Sequence, residues 1–301
     1  MPLPSAPEAN PDVTDITLLC ILYYIASIIL LIPAHDYLLT FVFTPPDPPD
    51  SPPPSEATAD PPALCRLLYL TTLPYFLSLV AIRLSTSTDK RLPIYEFYWL
   101  CNLTLFAAAL SPLLNRPALA AALGVSVGVD QVLWLVDLLG YPVKGKFPVG
   151  VCAYLFWPST TNARRLTSTH HLWTIPLLLH CCQGLHIAAL PLSFLATSIA
   201  VCLTRAMTPE SLMTLEPVVI KGEVKVPSRM GRPHYLNVNL AYEVWKDIKV
   251  KALQITHPEW EVYLPRLLLR WCAINTAVFG LLWAACRAAG LDEPLRSWDA
   301  L

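Results

Sequence analysis

The chain has 301 residues, of which 54% are hydrophobic and only 14% charged, with a net charge of −1. Soluble domains average about 25% charged residues, so this composition, with a mean hydropathy of +0.48, belongs to a polytopic membrane protein. The near-zero net charge argues against a general attraction to nucleic acid. The nine cysteines, mostly inside apolar runs and without CxxC or alternating Cys/His spacing, argue against a zinc module or a secreted disulfide framework.

A transmembrane helix needs roughly 20 apolar residues. Seven stretches qualify, at about 14–33, 63–83, 94–113, 117–139, 165–181, 185–204 and 264–288. They predict an all-α fold, a polytopic transmembrane bundle of six or seven spans. Residues 1–13 form an N-terminal tail that is acidic and contains proline. The first apolar run, Ile16–Ile32, is therefore expected to act as its own uncleaved signal. Residues 44–62 are Pro-rich and acidic and are expected to form a disordered loop. Pro74 is expected to break the second span and Pro176 the fifth. Ala120, Gly124 and Gly128 form a small-residue stripe that lets a neighbouring helix approach the fourth.

Lysines and arginines cluster after span two, between spans four and five, and between spans six and seven. The loop between spans one and two has acids and neither Lys nor Arg. The positive-inside rule then places the N-terminus and the three basic loops in the cytosol. The 205–262 insert would be cytosolic or interfacial. Within it VVIKGEVKV predicts a hairpin, and LNVNLAYEVWKDIKVKAL predicts either an amphipathic helix on the membrane or a solvated connector. The last span, within 263–288, precedes a C-terminal tail at 289–301.

Polar residues inside spans are energetically expensive and are functional candidates. In YEFYWLCNLTLF, Tyr95, Tyr98 and Asn102 share a helical stripe, with Cys101 beside it. In VDQVLWLVDLLGY, Asp130 and Asp137 share a face with Trp134 between them. Just ahead of RRLTSTHHLWTIPLLLH, Ser159 or Thr161 is expected to cap a helix that begins before Arg164. Arg164 and Arg165 would mark the membrane surface, and His170 would lie about 7–8 Å below it. Counting residues inward from each boundary puts Cys101, Asp137 and His170 at one depth. A cysteine and a histidine at one level suggest a nucleophile and its base. A carboxylate such as Asp137 would orient the imidazole, and Asn102 or Tyr98 would donate to a developing oxyanion.

The stretches WLCNLTLFAAAL and STHHLWTIPLLL resemble the YwaF-like and transmembrane protein 164 family over about residues 63–204. There a Cys-Asn or Cys-Ser pair opens one helix and a His opens a later one, some seventy residues on. More distantly, the chain resembles androgen-induced-gene-type lipid hydrolases, which have a Thr in the cysteine's role. The resemblance implies a membrane-embedded acyltransferase that moves a fatty acyl group between phospholipids through an acyl-cysteine intermediate. Cys101 would be the nucleophile and His170 the base, with the adjacent His171 as the competing assignment. The expected partners are a phospholipid or acyl-lipid substrate and the membrane, with no cofactor and no metal. The expected compartment is the endoplasmic reticulum or another endomembrane. Three non-enzymatic readings compete. One is a transporter or channel lined by Asp130, Gln131 and Asp137, although no second half repeats the first. Another is a haem or metal protein using His170, His171, His180 and His186. The last is a structural membrane subunit.

Overall fold

The structure, a computed structural model, describes residues 12–43, 63–157, 160–214, 218–220, 223–225, 232–242, 255 and 259–291. Among them, five helices are long and apolar enough to cross a membrane. The fold is an all-α membrane bundle. Its first helix, α1 (Val13–Tyr37), starts where the Asp12 side chain accepts the Thr14 N–H at 3.0 Å, and a π-helical turn extends it to Val42. The Pro-rich loop at 44–62 lies outside the described residues.

Helix α2 (Ala63–Thr86) runs through Pro74 without a break. Proline removes one ladder hydrogen bond, and in a packed membrane helix local adjustment accommodates that loss. The expected third span instead divides into α3 (Arg91–Glu96) and α4 (Leu100–Leu110), separated by a turn at 97–99. The next helix, α5 (Pro117–Lys144), is continuous over 28 residues. It ends at Gly145, whose φ of +63° suits a glycine cap.

The expected fifth span also divides, into α6 (Asn162–Thr167) and α7 (His170–Cys181). The break falls at Ser168 and Thr169, and Pro176 stays inside α7. Its cause is readable in the hydroxyl run. Ser168 Oγ donates to the Arg164 carbonyl at 2.8 Å, and Thr169 Oγ1 donates to the Leu166 carbonyl at 2.8 Å. Such side chains compete with the helical ladder. Helices α8 (Ala189–Met207) and α9 (Trp260–Ala288) complete the bundle.

Helix α5 is the central element, packed on α4, α7, α8 and α9. The small-residue stripe performs as expected. A Cβ at Gly124 would lie 3.3 Å from Leu178 of α7, and one at Gly128 would collide with Val278 of α9. Exposed leucines and isoleucines such as Leu18, Ile21, Ile25 and Ile29 on α1 suit contact with lipid chains.

The insert is partly built into the bundle. Strands β1 (Ser211–Thr214) and β4 (Arg232–Tyr235) pair antiparallel around a second hairpin of β2 (Val218–Ile220) and β3 (Glu223–Lys225). The hairpin expected in VVIKGEVKV is therefore present. The chain then turns inward, with Leu236, Val238, Asn239 and Ala241 all buried. A short 3₁₀ turn at Val238–Leu240 occupies the start of the expected amphipathic helix, and residues 243–254 lie outside the described set.

Candidate active site

Helices α2 and α5 run toward the end of the bundle at which α4 and α7 begin. There a cavity of about 520 Å³ opens between α2, α4, α5, α7 and the 149–157 loop. Cys101, the second residue of α4, and His170, the first of α7, both face it, as does His171. One donor atom from each of these three side chains lies within 4.8 Å of the other two. The chain breaks explain the meeting. Each stops a span short and starts a new helix inside the bundle, so that cysteine and histidine project from helix starts.

His170 is 3% exposed. Its Nδ1 lies 2.9 Å from the Thr167 carbonyl oxygen. A carbonyl only accepts, so Nδ1 carries the proton and Nε2 presents its lone pair. That Nε2 is buried without a hydrogen-bond partner. Its backbone is tied to α2, because the His170 N–H donates to Tyr75 Oη at 3.2 Å. His171 stacks on Trp134, with ring centroids 5.5 Å apart and planes 23° apart, and its Nδ1 is also buried without a partner. The two histidines thus differ, His170 being held through Nδ1 by the Thr167 carbonyl and His171 by stacking on Trp134.

The first turn of α4 is held from a distance. Asn239 Oδ1 accepts the Leu100 N–H at 2.8 Å, while Asn239 Nδ2 donates to the Tyr98 carbonyl at 2.7 Å and to Thr204 Oγ1 at 2.8 Å. One side chain thus bridges the break and caps the helix that carries Cys101. Asn239 adopts φ +52°, a region asparagine tolerates better than most residues. Arg205 secures the segment from the side, donating to the Ala241 carbonyl at 3.2 Å and lying 4.1 Å from the centre of the Tyr242 ring. No motif in the sequence marks Asn239. Only its occurrence in an apolar stretch, LNVNLAY, gave a hint.

On the mouth side, Glu96 binds two arginines, Arg83 at 2.9 Å and Arg164 at 2.7 Å. Arg83 Nε also donates to Thr167 Oγ1 at 2.7 Å, beside the carbonyl that holds His170. The expected cap is present too, with Thr161 Oγ1 accepting the Arg164 N–H at 3.1 Å.

Two expected supporting residues, Asp137 and Tyr98, lie off the cavity, and two, Asp130 and Asn102, line it. Asp137 does not line the cavity or orient an imidazole. Its carboxylate accepts backbone N–H groups from Val149 at 2.6 Å, Gly150 at 2.8 Å and Cys152 at 3.1 Å, and so folds the following loop. Its depth, counted inward from Lys144, the last residue of α5, does not decide its partners, and the loop that follows the helix takes up both carboxylate oxygens. Asp130, two turns earlier, shares the cavity with Cys101 instead. The Tyr98 hydroxyl is buried without a partner and points away from the cavity, its ring packed 4.8 Å from that of Tyr23. Asn102 does line the cavity, but its Nδ2 donates to the Glu96 carbonyl at 2.9 Å, which leaves one N–H for an oxyanion. His180 and His186 lie at the far end of α7 and beyond it, so they do not join His170 and His171. No protein-family model, curated protein or solved structure matches this chain.

Proposed function

We propose that this protein is an integral-membrane acyltransferase in which Cys101 attacks an acyl ester of a phospholipid and His170 serves as general base. The observation that carries this reading is the convergence of Cys101 and His170 within 4.8 Å, with the His170 proton fixed on Nδ1 and its Nε2 lone pair unused. An unpaired buried acceptor is costly to maintain, and a thiol is the group in reach that can use it.

In a cavity walled by Leu79, Phe97 and Trp134, a neutral thiol and imidazole are favoured over an ion pair. The proton therefore passes from Cys101 Sγ to His170 Nε2 as sulfur bonds to the acyl carbon. The tetrahedral oxyanion draws on the remaining N–H of Asn102 Nδ2 and on the Cys101 backbone N–H in the first turn of α4. Collapse breaks the ester bond, and the departing alkoxide takes the proton from His170. An acceptor hydroxyl then gives its proton to His170 Nε2 and attacks the thioester, and that proton returns to sulfur. With water as the acceptor, the same steps amount to hydrolysis. Arg83 and Arg164 exceed Glu96 by one positive charge at the mouth, which suits a phosphate headgroup. In this reading the cavity opens to the cytosolic leaflet of the endoplasmic reticulum or another endomembrane, with the N-terminus on the same side.

The test is transfer from a phospholipid with an isotopically labelled acyl chain to a lysophospholipid, using protein purified in lipid nanodiscs. Labelled product should form with the native chain and vanish in Cys101→Ala, while Cys272→Ser keeps it. Equal product from native and Cys101→Ala protein would contradict the assignment.

A further inference from the structure

A thiol and one imidazole make a dyad, and the cavity holds a second imidazole that the acyl chemistry does not use. His170 and His171 have ring centroids 4.2 Å apart. Both carry a buried ring nitrogen without a hydrogen-bond partner, Nε2 of His170 and Nδ1 of His171. With Cys101 they offer three donor atoms, all within 4.8 Å of one another. Asp130 lines the same cavity and forms no hydrogen bond or ion pair among the described residues.

We propose that Cys101, His170 and His171 form a binding site for a thiophilic divalent cation of the zinc class. Four arguments converge on it. Zinc holds thiolate sulfur at about 2.3 Å and imidazole nitrogen at about 2.0–2.1 Å. Tetrahedral donors are therefore roughly 3.3–3.7 Å apart, and the observed spacing closes to that with side-chain shifts of about 1 Å. The donor set of one sulfur and two nitrogens selects zinc-like ions over magnesium or calcium, which take oxygen. The Nδ1–H of His170 is already given to the Thr167 carbonyl at 2.9 Å, the outer hydrogen bond that orients a metal-binding imidazole and fixes its tautomer. Finally, three protein donors leave a fourth position open to water, in a cavity that Asp130 also lines.

Binding replaces the thiol proton, which is released to solvent, with a sulfur–metal bond. The same lone pairs on Cys101 Sγ and His170 Nε2 are then engaged, so neither attack nor proton transfer can occur. The ion is therefore an inhibitor of the acyl chemistry. That consequence rests on the proposed function, whereas the binding itself does not.

The experiment strips purified protein in nanodiscs with a chelator and titrates it with Co²⁺, with no lipid substrate added. Native protein should develop a sulfur-to-cobalt charge-transfer band and the visible bands of tetrahedral cobalt, saturating at one equivalent and bleached by Zn²⁺. Cys101→Ser should lose the charge-transfer band, and Cys272→Ser should keep it. His171→Ala should bind at least about 10–100-fold more weakly, the loss that even an outer metal partner produces. Size-exclusion elution identical to native shows that each variant is folded. Absence of the band in native protein, or its survival in Cys101→Ser, would overturn the site. Cobalt binding alongside acyl transfer that continues at stoichiometric Zn²⁺ would overturn the inhibition alone. Failure of acyl transfer in metal-free protein would count against the enzyme reading and leave the metal site standing.

Discussion

Two of the polar clusters buried among the described residues differ in what their hydrogen bonds are used for. Between α5, α8 and α9, Asn275 Nδ2 donates to Thr197 Oγ1 at 3.2 Å and to Ser193 Oγ at 3.4 Å, while Ser126 Oγ donates to the Ser193 carbonyl at 3.1 Å. Those groups bind one another across helices that touch, at a place where a Cβ on Gly128 would meet Val278. That cluster leaves Asn275 Oδ1 without a partner, whereas around Cys101 several buried atoms are left, among them Asn102 Oδ1, His170 Nε2 and His171 Nδ1, and the group borders a cavity of about 520 Å³. The first cluster is what membrane helices use to hold together. The second leaves affinity unspent, as a site that must receive something does. The helices follow the same division. Long α5, α8 and α9 carry the first cluster, and the broken pairs α3–α4 and α6–α7 carry the second.

Removing the sulfur breaks this comparison most completely. Cys101→Ala should abolish lipid acyl transfer in nanodiscs while leaving thermal stability near native, because the cavity only grows. His170→Ala should lower turnover by about 10²–10⁴-fold, the usual worth of a positioned base, in the same assay. Asn239→Ala should act on both activity and stability. It removes three hydrogen bonds and strands the Leu100 N–H and the Tyr98 carbonyl. We expect a loss of about 1–3 kcal/mol in stability and a fall in turnover as the start of α4 loosens. Asn239→Asp keeps the acceptor for Leu100 but sets an oxygen against the Tyr98 carbonyl in a buried site, and should be at least as severe as alanine in thermal denaturation. The smallest effect is expected at the other cluster. Asn275→Ala should cost roughly 0.6 kcal/mol, the average for such interhelical bonds, with turnover unchanged. A large activity loss in Asn275→Ala would erase the distinction between the clusters.

The bundle was legible because apolar length and small-residue spacing are local properties. The stripe at Ala120, Gly124 and Gly128 and the cap at Thr161 are of that kind. The meeting of Cys101 with the histidines was also within reach of residue counting, because both groups lie within a few residues of a basic boundary. Asp137 was misassigned because counting inward from Lys144 gives depth and not partners, and its partners are the amides of a loop with no strong sequence pattern. The break at 97–99 was hidden inside a mostly apolar run of adequate length, whereas that at 168–169 falls in a hydroxyl run that carries its cause. Asn239 was out of reach because the N–H it caps lies 139 residues away along the chain. Long-range capping leaves no periodicity to read.

The central claim is that Cys101 carries the acyl group in transit. Protein incubated with the labelled donor phospholipid, without acceptor, should be quenched in acid and digested, and the peptide containing Cys101 weighed by mass spectrometry. The account predicts a peptide heavier by the labelled acyl group, returned to its original mass by neutral hydroxylamine and more abundant when acceptor is withheld. Acyl transfer that proceeds while Cys101 stays unmodified, or a label found on another residue, would contradict it.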